Sequence, residues 1–145
     1  MQEYPHHYRV SASGGREGSV SVSGAELPTL ETNPPPEFNG PSGYWSPETL
    51  LVAAVADCFI LSFRAVARAS KLEWKSLSCE VEGILEKEDR ITRFTRFILK
   101  PSLTLSSDDD RRKAERCLEK AEQNCLITSS LNSEKELVID IEIAQ

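Results

Sequence analysis

Two cysteines, one arginine and one glutamate hold most of the chemical promise of this chain. Cys58 lies in the apolar run 50–61, which follows Ser46-Pro47-Glu48, and Cys125 closes an amphipathic stretch far down the sequence. A cysteine is a nucleophile only as the thiolate, so a reactive one needs a neighbour that lowers its pKa. Position in the middle of a helix keeps Cys58 from its own helix N-terminus. Arg64 and Arg68 follow by six and ten residues, off the i+3/i+4 face. The cation must come from elsewhere. Arg16, held in Gly14-Gly15-Arg16-Glu17-Gly18, is the candidate, because glycines let a backbone approach closely. Each residue has a plainer reading as well. A core helix often buries a cysteine, and a turn arginine is commonly solvated.

Glu48 is ten residues before Cys58, ~15 Å along one continuous helix. It cannot touch its own chain's Cys58, but it can serve a second subunit or orient Arg16. Its plainer role is to complement a helix N-terminus, worth about 0.3–1 kcal/mol. If the helices carrying Cys58 and Cys125 cross at the small residues Ala114 and Ala121, the two sulfurs come within disulfide reach, a Cα separation of ~5.5 Å.

These groups need a scaffold. The chain has 145 residues, 39% hydrophobic and 28% charged, which suits one globular domain over 1–145. A net charge of −6 argues against nucleic acid and gives no support for an anionic membrane surface. The apolar run 50–61 is interrupted by Asp57 and falls short of the roughly 20 residues of a membrane span. No apolar signal segment opens the sequence, so the expected location is the cytoplasm. There, four cysteines are more often buried, catalytic or metal-binding than bridged. No C-x₂-C pair is present, so a metal site is not expected.

Residues 8–13 and 19–23 alternate like strands about the Gly-rich link and predict a hairpin. Residues 24–45, rich in Pro, predict a long irregular connection, the kind of loop that is functional or disordered. Ser46 suits a helix N-cap and Pro47 the first helical position, opening a buried helix over about 47–70. Alternation predicts a strand over 77–85, a charged turn at 86–89 and a partner strand over 91–99. Ser107 caps a second helix whose Ala114, Leu118, Ala121 and Cys125 share one face, and a last strand carries Leu137, Ile139, Ile141 and Ile143. The order β-β-α-β-β-α-β is an α+β pattern. A first helix apolar nearly all round is hard for one chain to cover, and an intertwined dimer would cover it. Leu51, Val55, Phe59 and Phe38 are expected to make the pocket apolar. Cys79 is expected to pack, and Cys117 matches no motif.

In order and spacing, Gly14-Gly15-Arg16-Glu17-Gly18, Pro36-Glu37-Phe38-Asn39-Gly40, Ser46-Pro47-Glu48-Thr49-Leu50, Ala56-Asp57-Cys58-Phe59 and Ala121-Glu122-Gln123-Asn124-Cys125-Leu126-Ile127 resemble the motifs of the OsmC/Ohr proteins (osmotically inducible protein C and organic hydroperoxide resistance protein). The resemblance covers nearly the whole chain. It implies an intertwined homodimer with antiparallel sheets around central helices and two sites at the interface. It also implies a thiol-dependent peroxidase acting on organic hydroperoxides, with hydrogen peroxide as a further substrate. Cys58 would then be the peroxidatic cysteine, Cys125 the resolving one, and Arg16 with Glu48 the pair that holds the thiolate. The reductant would be a dithiol, in the family often a lipoylated protein, and no metal or organic cofactor is implied. The chain departs from the family pattern in Asp57 beside Cys58, in Ser46 where Asn is common, and in Leu126-Ile127-Thr128 after Cys125. Two other outcomes on the same fold are a non-catalytic dimer that binds an apolar ligand and a thiol redox sensor.

Overall fold

The computed structural model describes residues 1–144. The chain forms two compact units, Met1–Leu51 and a second beginning at Val52.

In the first unit the Gly-rich link turns the chain back as expected, pairing β1 (Ser11–Ser13) with β2 (Val20–Ser23) antiparallel, Ser13 opposite Ser21. Gly18, at φ +90°, takes a backbone conformation that side chains disfavour. The Pro-rich segment is more ordered than expected. It contributes β3 (Leu30–Thr32), antiparallel to β2, and a short 3₁₀ turn at Pro36–Phe38. Thr32 bridges Trp45, and the Asn33 N–H donates to the Trp45 carbonyl at 3.0 Å. Gly40 packs so tightly on the Pro34 backbone that no side chain fits there.

Helix α1 (Pro47–Ala69) starts as the sequence dictates. Ser46 Oγ accepts from the Thr49 N–H at 3.1 Å while the Ser46 N–H donates to Thr49 Oγ1 at 2.9 Å, a reciprocal capping box with threonine in the third position. By length and composition α1 could cross a membrane, longer than the run 50–61 suggested. Val55, Phe59, Phe63, Val66 and Ala67 are buried, yet only 28% of its most apolar window is covered within the single chain.

The second unit centres on β4 (Ser76–Glu88) and β5 (Ile91–Leu105), a long antiparallel hairpin that turns at Asp89-Arg90, both at positive φ. The charged stretch 86–88 extends the strand instead of forming the turn. Phe97, Leu99, Pro101, Leu103 and Leu105 form the inner face of β5 and are buried. Ser107 Oγ accepts from the Asp109 N–H, and α2 (Arg111–Asn124) follows with Ala114, Cys117, Leu118 and Ala121 buried. A single turn, α3 (Leu126–Ser129), comes next. The expected last strand is two, β6 (Glu134–Leu137) and β7 (Asp140–Ile143), both parallel to β5. The α+β class stands, but the second sheet is mixed where antiparallel sheets were expected. The chain re-enters beside β5 after a helical crossover, which allows parallel pairing.

Candidate functional site

Cys58 and Cys125 meet. Each thiol acts on the pKa of the other, which places them side by side, and both cysteines are free thiols. Cys58 is half-buried on α1, and Cys125 is fully buried at the joint between α2 and α3. Cys125 has extended backbone angles, φ −65° and ψ 117°, so it breaks the helix where the sequence suggested it simply ended one.

That break supplies what Cys58 needs. Burial pushes the Cys58 thiol up. Against this act the Ile127 N–H, the Cys125 thiol, the Ser62 hydroxyl and the Leu126 N–H, and together they hold it below its ordinary value. The Ser62 oxygen is 3.9 Å from the sulfur. Its own helix N-terminus stays out of reach, as the sequence implies; the amides come from the start of a different helix, α3, which was not among the sequence-based expectations. Backbone donors at such an end favour an anion. No side-chain pattern announces them, although Leu126-Ile127, flagged as a departure from the family motif, marks the place.

The two thiols differ in kind. Burial raises the Cys125 thiol, and the neighbouring Cys58 adds to this against the Thr128 N–H and hydroxyl, so its pKa stays above the ordinary value. The pair thus sets a thiol held below its ordinary pKa beside one held above it. Asp57 is exposed. Val55 and Phe59, expected to wall a pocket, are fully buried core residues instead.

Arg16 and Glu48 belong to the first unit. Arg16 is exposed and, among the described residues, in no ion pair. The expected pair is therefore not formed within one chain. Glu48 is half-buried, and its Oε1 is buried without a hydrogen-bond partner. It lines an apolar cleft of about 600 Å³ with Val20, Val22, Phe38 and Leu50. Among the described residues, no three His, Cys, Asp or Glu side chains gather closely enough to hold a metal ion.

The family model for OsmC-like proteins matches residues 40–140, and the chain belongs to that family. A Bacillus subtilis protein described as uncharacterized, YmaD, is 29% identical over 143 residues, covering 95% of each chain. Among solved structures, an OsmC-like protein of unknown function from Vibrio cholerae superposes with a TM-score of 0.82 at 20% identity, covering 94% of this chain and 99% of that one. A Legionella pneumophila structure described as an organic hydroperoxide resistance protein OsmC gives 0.76 at 24%, covering 97% and 99%. An organic hydroperoxide resistance protein from Elizabethkingia anophelis gives 0.77 at 19%, covering 99% and 100%. At these identities the structural likeness establishes the fold.

Proposed function

We propose that the protein is a thiol-dependent peroxidase that reduces organic hydroperoxides, with Cys58 as nucleophile. The observation that carries this reading is the Cys58 sulfur held by two backbone amides and by the Cys125 thiol, with its pKa below the ordinary thiol value. The Cys58 thiolate attacks the terminal peroxide oxygen, the O–O bond breaks, and the alkoxide leaves as the alcohol after taking a proton. Cys58 is oxidised to the sulfenic acid. The Cys125 sulfur then attacks it, water leaves, and the Cys58–Cys125 disulfide forms. A dithiol, such as a lipoylated protein, restores both thiols by two exchanges.

The working form is a homodimer in the cytoplasm. Its support is the uncovered length of α1 and the unpartnered Glu48 oxygen. In that dimer Arg16 pairs with Glu48 and sets a guanidinium beside the thiolate. The apolar cleft of the first unit offers room for a hydrocarbon group. It also supports the alternative of a dimer that binds an apolar ligand without turnover.

One assay separates the two: consumption of cumene hydroperoxide with dihydrolipoamide as reductant. Cys58→Ser is expected to lose at least about a thousandfold in rate, the scale on which removal of a nucleophile acts. A variant that consumes peroxide as fast as wild type would overturn the peroxidase reading.

A further inference from the structure

The mechanism above leaves a third thiol unused. Cys79 lies on the inner face of β4, directly opposite the fully buried Pro101. Two positions along the same face, Gly83 is opposite Phe97, and a Cβ there would stand 2.8 Å from Val52 Cγ2 of α1. At its other end α1 leads through residues 70–75 into Ser76, with the Lys75 N–H donating to the Thr104 carbonyl at 2.9 Å. So α1 lies along β4 and runs against it. From the Val52–Gly83 contact, Cys58 is six residues on, ~9 Å. Cys79 is four residues from the same contact, ~13 Å along the strand. The two lie within ~4 Å of one level along the core, and Cys125 lies near enough to both to act on each thiol.

We infer that Cys79 is a relay thiol: it takes over the disulfide from Cys58 by attacking the Cys125 sulfur. This rests on the peroxidatic reading of Cys58. The Cys79 thiolate forms a bond to Cys125, the Cys58–Cys125 bond breaks, and Cys58 leaves as a thiolate. No electrons are gained or lost overall, and the proton of Cys79 passes to solvent. A second molecule of hydroperoxide then oxidises the freed Cys58 to a sulfenic acid.

The direction of exchange follows from the environments. The thiolate that leaves best is the one best stabilised, and that is Cys58. Burial pushes the Cys79 thiol up to about 11; the Lys100 N–H offsets part of this, and the nearby Cys125 charge adds to it. Once Cys125 is bridged that charge is gone, and the least acidic thiols are the ones that prefer to share a bond. Cys125 stands outside regular helix, next to a single turn, so its sulfur can swing toward the strand.

The test titrates the fully reduced protein with cumene hydroperoxide in the absence of reductant. Residual peroxide is measured, bridges are mapped by peptide mass, and sulfenic acid is trapped with dimedone. Wild type is expected to consume about two equivalents per chain, passing from a Cys58–Cys125 to a Cys79–Cys125 bridge with dimedone on Cys58; Cys79→Ala stops at about one. The order of bridges in wild type requires no variant to fold. Wild type that stops at one equivalent with only the Cys58–Cys125 bridge overturns the relay and leaves the peroxidase intact. Undiminished consumption by Cys58→Ser removes both.

Discussion

From Val55 onward the chain buries large apolar side chains, Phe59, Phe63, Phe97, Leu99, Leu103 and Leu118 among them. Before Val55, no apolar residue among the described ones is buried, and the three that are buried, Thr32, Asn33 and Ser46, are polar. The second unit closes its own core. The first is organised by hydrogen bonds, with Asn33 Nδ2 donating to Ser19 Oγ and Thr32 Oγ1 to the Val20 carbonyl, and leaves Val20, Leu30, Phe38 and Trp45 exposed. Apolar burial contributes about 1.5–3 kcal/mol for each fully buried large side chain. A region without it is completed by something else, and a second copy of the chain is the occupant proposed above.

The contrast can be broken most directly in the first unit. Val20→Asp is expected to yield a monomer by sedimentation velocity and to lower peroxide consumption about 100-fold, the scale of misplaced catalytic groups. A dimer of full activity would show that the β1–β3 sheet is not a covered surface. In the second unit, Gly83→Ala places a Cβ 2.8 Å from Val52 and 3.1 Å from the rings of Phe94 and Phe97. Urea unfolding should record a loss of about 1–3 kcal/mol, the usual cost of overpacking a filled core. A neutral result would mean that this core is looser than its burial implies.

Two smaller effects sharpen the same comparison. The Cys79 thiol is raised in the fold to about 11. Below the ordinary thiol value of about 8.5, both folded and unfolded chains keep the proton. Above it the unfolded chain loses the proton first, so stability falls as pH rises until the folded thiol also ionises. Unfolding curves should therefore show wild type losing stability relative to Cys79→Ala from about pH 8.5 toward 11. A constant difference across that window would place Cys79 in water. Smallest is Ser46→Ala, which removes the cap on Thr49 and should cost about 1 kcal/mol. A change within error in thermal unfolding would mean that Thr49 alone closes that end.

Much of the scaffold was legible because its signals are local. Ser46-Pro47 set the start of α1, and alternation gave the β4–β5 hairpin and the inward side of Cys79. What was not legible was non-local. Leu30-Glu31-Thr32 becomes a strand only because β2 offers an open edge, and prolines around it hide the pattern. The parallel pairing of β6 and β7 is fixed by where the chain re-enters after α2, which no residue type encodes. Of the site, the nearness of Cys58 and Cys125 was legible only as a condition, that their helices cross at Ala114 and Ala121, and Cys125 in fact stands just outside regular helix. The amides of Leu126 and Ile127 were not legible, since every residue but proline carries one and only the fold aims them.

In the proposed mechanism, residues 125–128 therefore govern both halves of the redox couple. The segment that carries the Cys125 sulfur also carries the amides that lower the Cys58 thiol pKa. On that reading, displacing the segment would weaken the nucleophile and strand its oxidation product in a single stroke, so one short turn carries both duties.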